Sequence, residues 1–201
     1  MPDNISHGQF ALYWLVDGAV LLLVFAPMGY LIATHKIRHP SVIFFTRFLG
    51  VFAVLFLADL LIMWFAPSFY LLLQGGLAAL VTRALKAGGL SASSSGAVIS
   101  LPSGSFKIAT GCLGDELVCV YVALVLAERA ATRGQYALGL LVGLVVLWAF
   151  NVLRIVVSIY TESRWAFNSH YVFYLGSLVF VLALWWIWLG RLRTLRATDT
   201  D

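Results

Sequence analysis

Long apolar runs separated by short polar punctuation make up most of this chain. Residues 11–33 form the first run, interrupted by Asp17. A basic turn with His35, Lys36, Arg38 and His39 follows, and Pro40 closes it. Residues 42–65 form a second run, with Arg47 one turn inside it and Asp59 near its far end; Pro67 then breaks the chain. Residues 113–128, 135–160 and 170–190 are three more. Runs of this kind suit helices that cross a hydrocarbon core of roughly 30 Å at a rise of ~1.5 Å per residue. Residues 68–86 keep helical spacing, but Gln74, Gly75, Gly76, Thr82, Arg83 and Lys86 dilute them. If the basic turn near Lys36 and the one near Arg129 share a side, an even number of crossings separates them. Residues 68–86 are therefore expected to be interfacial or re-entrant. Residues 88–111 are polar, and two β-like runs, 97–101 and 105–109, flank Pro102-Ser103-Gly104. That pattern predicts a small hairpin. Residues 161–169 read as a polar loop and 191–201 as a frayed tail. The fold class predicted is an all-α polytopic membrane protein with about five to six transmembrane helices. A short extracytoplasmic β-hairpin-like segment and one interfacial or re-entrant helix complete a single domain over residues 1–201.

Composition agrees. Hydrophobic residues make up 62% of the chain and charged residues 11%, where a soluble domain carries about 25% charged. Mean hydropathy is +0.95. The net charge of +4 is not spread as a nucleic-acid footprint, so no nucleic acid is expected as a partner. It falls in clusters at segment ends: Lys36 with Arg38, Arg129 with Arg133, and Arg191, Arg193 and Arg196. By the positive-inside rule these ends face the cytoplasm. The start of the chain lacks the basic region and small-residue site of a cleaved signal peptide, so no processing is expected.

The candidate chemistry lies at the other ends of the apolar runs. Cys112 precedes Arg129 by 17 residues, or about 26 Å of helix. Arg154 follows Gln135 by 19, or about 28 Å, and His170 precedes Arg191 by 21, or about 32 Å. Thiol, guanidinium and imidazole therefore reach one membrane face. Cys112 is expected to open a helix, whose dipole favours a thiolate; a small packing cysteine is the bland alternative. Cys119, two turns deeper, is read as packing. Asn151 and Arg154 are three residues apart and share a helix face. Asp115 and Glu116 fall in a first helical turn, where carboxylates are favoured. Asp115 serves there as a cap, while Glu116 could pair with Arg154 or orient His170. A nucleophilic thiol needs a base and an oxyanion donor, and Cys112, His170 and Arg154 supply those three parts. Two cysteines imply no disulfide framework or thiolate metal site, and no cofactor or metal is expected. No HExxH, GxSxG, phosphate-loop or dinucleotide fingerprint is present.

Three places carry a family resemblance: Gly111-Cys112-Leu113-Gly114, Asn151-Val152-Leu153-Arg154, and His170 at the head of the last helix. They resemble the Cys-x-Gly box, the Asn-x-x-Arg motif and the histidine of the exosortase/archaeosortase family. The stretch 96–108 also resembles the segment that leads into that family's cysteine. Together the likeness covers 67–190. It implies a membrane-embedded cysteine protease/transpeptidase, acting on client proteins that carry a C-terminal transmembrane sorting signal. Cys112 would be the nucleophile, His170 the base and then acid, and Arg154 the oxyanion or positioning group, with Asn151, Glu116 and Gly114 supporting. The implied site is the plasma (inner) membrane, with the active site on the extracytoplasmic face. Leu113, where the family often has a small polar residue, and the acidic Asp115-Glu116 pair are departures. The alternative reading is a catalytically silent accessory subunit that packs in the bilayer within a larger membrane complex.

Overall fold

The computed structural model describes residues 40–129, 131–165 and 170–198. The expected first span, 11–33, and the basic turn at 35–39 lie outside the described residues. Five helices are present: α1 (Pro40–Phe65), α2 (Pro67–Ala87), α3 (Asp115–Ala127), α4 (Arg133–Trp165) and α5 (His170–Thr198). Between α2 and α3 lie β1 (Ser93–Ser95), β2 (Val98–Leu101), β3 (Gly104–Lys107) and a 3-10 turn at Thr110–Cys112. The chain is thus a helical polytopic membrane protein with one small sheet. Three of its helices are long and apolar enough to cross a membrane: Pro40–Phe65, Pro67–Ala87 and Arg133–Glu162, with a shorter apolar stretch at Gly176–Leu192.

Helix ends follow local chemistry. Thr132 and Gln135 form a reciprocal capping box: the Thr132 N–H donates to Gln135 Oε1 at 2.8 Å and the Gln135 N–H to Thr132 Oγ1 at 3.4 Å. This starts α4 two residues earlier than its apolar run does. Its far end runs to Trp165, so residues 161–165 of the expected loop are helical. Likewise α5 continues to Thr198 through most of the expected tail. Apolar content set the predicted limits, but backbone hydrogen bonding carries a helix past the point where its side chains turn polar.

The expected hairpin is present, and it gains a strand. β2 and β3 pair antiparallel, Val98 with Lys107 through Leu101 with Gly104, and β1 adds to β2 with Ser93 opposite Ser100. The serine cluster has little β-propensity, and its pairing uses backbone groups. Ile99 and Ile108 point inward and are buried, whereas Ser100, Ser105 and Lys107 are exposed.

Two apolar cores result. One joins α1, α3, α4 and α5 through Leu117, Tyr121, Leu124, Val125, Leu147 and Val181, with Phe48 and Trp188 against it. The other joins α2, the sheet and the far part of α4 through Leu77, Val81, Leu85, Ile99, Ile108, Ile155 and Ile159. Helices α1 and α3 run antiparallel. Arg47 Nη2 donates to the Leu126 carbonyl at 3.1 Å, so Arg47 caps the C-terminal end of α3, where the dipole favours a cation. Tyr121 donates to the Gly139 carbonyl at 2.9 Å and lies against Gly143, while Trp188 lies against Gly139. Phe150 and Phe180 stack at 3.9 Å between ring centroids.

Length and composition alone would let α2 cross the bilayer, but its contacts place it differently. Its buried stripe, Tyr70, Gln74, Leu77, Ala78, Val81, Thr82 and Leu85, has the i, i+4, i+7 spacing of a single face. That stripe shares a core with Ile155 and Ile159, which lie about 33 and 39 Å along α4 from Arg133. Both values exceed a hydrocarbon core of roughly 30 Å. Helix α2 therefore packs at the Cys112 end of the bundle, beside the sheet and the far part of α4.

A Cβ on Gly143 would run into the Tyr121 ring, and Tyr121 is 1% exposed. Gly143→Ala is therefore expected to lower stability by about 1–3 kcal/mol or more through overpacking. Gly50, with nothing within 4 Å of its Cβ position, should accept alanine without loss. Thermal unfolding of the two variants in detergent compares them directly; equal midpoints would contradict the α3–α4 packing.

Candidate functional site

Cys112 closes the 3-10 turn instead of opening a helix, which corrects the sequence reading. The Cys112 N–H donates to the Ala109 carbonyl at 3.0 Å and the Leu113 N–H to the Thr110 carbonyl at 2.9 Å. Helix α3 starts only at Asp115, after Gly114. The helical part of the interval from Cys112 to Arg129 is accordingly shorter than expected: α3 has 13 residues, or about 20 Å. The reason lies in Gly114. Its φ is +76°, a left-handed value that breaks the helix between the cysteine and the acidic pair and that a Cβ disfavours by roughly 1–2 kcal/mol. A Cβ there would also sit 3.1–3.2 Å from the Asn151 side chain.

Asn151 is the residue that ties the turn to α4. Its Nδ2 donates to the Cys112 carbonyl at 2.9 Å and to the Leu113 carbonyl at 3.1 Å. Two carbonyl acceptors fix which end of the amide faces the turn. Its Oδ1 is buried with no hydrogen-bond partner among the described residues. Arg154 lies one turn further along the same helix; it is 6% exposed and engaged rather than free. Cys112 is half-buried, and with Leu113, Val152 and Val156 it packs on the core of α2 and the sheet.

His170 opens α5; its side chain lies outside the described residues. Gly139 beside Trp188 and Phe150 on Phe180 set the antiparallel register of α4 and α5. Extended at helical rise, that register brings the start of α5 to about the level of Ile159, ~7 Å beyond Arg154. Glu116 is half-buried in the first turn of α3 and is engaged. Asp115 sits beside it as the first residue of α3, its Oδ1 accepting from the Glu116 N–H at 3.1 Å; the N-cap position falls to Gly114, with no side-chain cap bond, so Asp115 does not take the expected capping role. Cys119 is buried, as its reading as a packing residue requires. Among the described residues no group of three or more His, Cys, Asp or Glu is placed to hold a metal ion.

Two polar links at this end were not foreseen. Gln74 of α2 donates from Nε2 to Thr110 Oγ1 at 3.2 Å. Tyr70, one turn earlier on α2, donates to the Asp59 carboxylate of α1 and to the Asp59 carbonyl, the latter at 3.3 Å. In the sequence Gln74 registers only as a polar interruption of an apolar run. The signal that finds it is the i, i+4 stripe Tyr70–Gln74–Ala78 on the buried face.

Asn151→Leu keeps the shape of the side chain and removes its donor. It is expected to lower stability by about 1–3 kcal/mol, the range for stranding buried polar groups. Leu153→Ala, at a 57% exposed position on the same helix, should cost less. Thermal unfolding in nanodiscs compares them, and an Asn151→Leu midpoint equal to the wild type would remove the clamp from this account.

The sequence model of the transmembrane exosortases matches residues 7–189. No curated protein and no solved structure matches the chain. The match takes in the Cys112 turn, the α4 segment from Asn151 to Arg154 and the head of α5. Over nearly its whole length, the chain belongs to the transmembrane exosortase family.

Proposed function

We propose that this protein is a membrane cysteine transpeptidase in which Cys112 is the nucleophile, Arg154 the oxyanion or positioning group, and His170 the base. The observation that carries this reading is the Asn151 clamp. It holds the cysteine turn against the helix that presents Arg154 one turn away. The client is a membrane-anchored protein whose C-terminal helix docks beside the bundle, with its scissile peptide at the Cys112 end. The Cys112 thiol gives its proton to His170 as sulfur bonds to the scissile carbonyl carbon. The oxyanion that forms is met by Arg154, a planar donor that stays charged. Collapse of the intermediate breaks the C–N bond, and the leaving amine takes the proton from His170. The thioester then passes the acyl group to an acceptor amine or to water. Anchoring the client in the membrane plane raises the effective concentration of its scissile bond at the thiol.

The Cys112 end is assigned to the extracytoplasmic face of the plasma (inner) membrane. Support comes from charge. Arg47, Arg129, Arg133, Arg191, Arg193 and Arg196 fall toward the other end, outnumbering Arg83, Lys86, Lys107, Arg154 and Arg164 at this one. Labelling of Arg133→Cys by a membrane-impermeant reagent from the outside would reverse the assignment.

In cells that hold the client, Cys112→Ala is expected to reduce processing to background while the protein inserts normally. Arg154→Lys should slow processing by on the order of 10²–10³-fold, as for loss of an oxyanion donor. Cys119→Ala should process at close to the wild-type rate. Equal processing by the Cys112→Ala and Cys119→Ala variants would reject the enzyme and favour the accessory subunit.

A further inference from the structure

We propose that Gln74 is a positioning residue for Cys112, acting through Thr110; this rests on the reading of Cys112 as the nucleophile. The cysteine turn is weakly specified by its own chain. Gly111 within it has nothing within 4 Å of its Cβ position, and Gly114 just after it takes a left-handed φ. Two side chains from outside hold the turn instead. Asn151 of α4 fixes its exit through the Cys112 and Leu113 carbonyls. Gln74 of α2 fixes its entrance through the Thr110 hydroxyl. The thiol sits between the two fixed points.

Gln74 suits the task. It is 8% exposed, so its amide is shielded from competing water. Its helix is held on both sides of it. One turn before, Tyr70 binds Asp59 of α1; in the turn after, Leu77 and Ala78 enter the core shared with Ile155 and Ile159. The amide is thus carried by a braced helix. Without it the entrance of the turn is released and the thiol samples a wider range of poses. A misplacement of about 1 Å can slow a reaction by roughly 10²-fold.

The test uses the full-length protein in membranes, in a Cys119→Ala background that leaves one thiol. Gln74→Leu and Thr110→Val each remove one partner of the bond at nearly constant shape. Thr110→Ser keeps the hydroxyl. Thr82→Val is the control, because Thr82 lies two turns along the same buried stripe and its Oγ1 has no partner among the described residues. Three quantities are read: client processing, the rate at which an impermeant maleimide labels Cys112, and the unfolding midpoint. Gln74→Leu and Thr110→Val should each slow processing by about tenfold or more. Both should label Cys112 several-fold faster, because the turn is loosened. Their midpoints should fall slightly below that of Thr82→Val, as for the loss of one buried hydrogen bond, with both variants still folded at the assay temperature. Thr110→Ser should behave as the wild type, and the double Gln74→Leu/Thr110→Val variant no worse than either single, as expected for one shared interaction. Labelling at the wild-type rate in both single variants overturns the proposal, as does an additive double variant. So does a thiol that is not labelled in any folded variant but reacts on unfolding. Should Gln74→Leu fail to insert, Thr110→Val decides alone. A wild type that processes no client, alongside the labelling pattern described, rejects the transpeptidase and leaves the placement of Gln74 standing.

Discussion

The amide of Asn151 is the constraint on which the functional end of this protein depends. One NH2 group reaches two consecutive carbonyls, of Cys112 and Leu113, and a backbone can offer both only where it turns. Gly114 supplies that turn with a left-handed φ and also leaves room for the amide beside it. The spacing from Cys112 to Gly114 and the position of Asn151 are therefore one requirement seen from two helices. Arg154, three residues after Asn151, inherits its place from the same contact.

That contact needs α3 and α4 to lie close along their whole shared length. Gly143 makes this possible by leaving space for Tyr121, and Gly139 does the same for Trp188 of α5. Tyr121 then ties the pair with a hydrogen bond to the Gly139 carbonyl. At the opposite end Arg47 fastens α1 to the end of α3. The Tyr121 bond is buried and those of Arg47 and Asn151 are part-buried, and an unmade bond in such places is expensive. Together they fix the depth at which α3 begins.

Buried polar side chains collect where the two cores meet. Gln74, Asn151 and Arg154 are each less than 9% exposed, and all lie near the cysteine turn. Below them the bundle core is almost wholly apolar, and above them the sheet and α2 form a separate apolar cap. The cysteine turn thus lies between the helix bundle on one side and the sheet with α2 on the other.

The sequence by itself determined the class, the helices and the identity of the candidate residues. Apolar runs can be read directly because a bilayer demands about twenty such residues per crossing, and β2 and β3 announce themselves around Pro102 and Gly104. Gly111–Gly114, Asn151, Arg154 and His170 stood out because polar groups and glycines are conspicuous in such a chain. The tertiary structure alone decided the rest. It began α3 only at Asp115, turned the serine cluster into β1, packed α2 at the Cys112 end of the bundle, and joined Gln74 to Thr110. The two links that hold the cysteine turn depend on partners distant in sequence: Asn151 lies 38 residues from Leu113, and Gln74 lies 36 from Thr110. Local periodicity shows which face of a helix is apolar, but not which backbone carbonyl will come to lie against it.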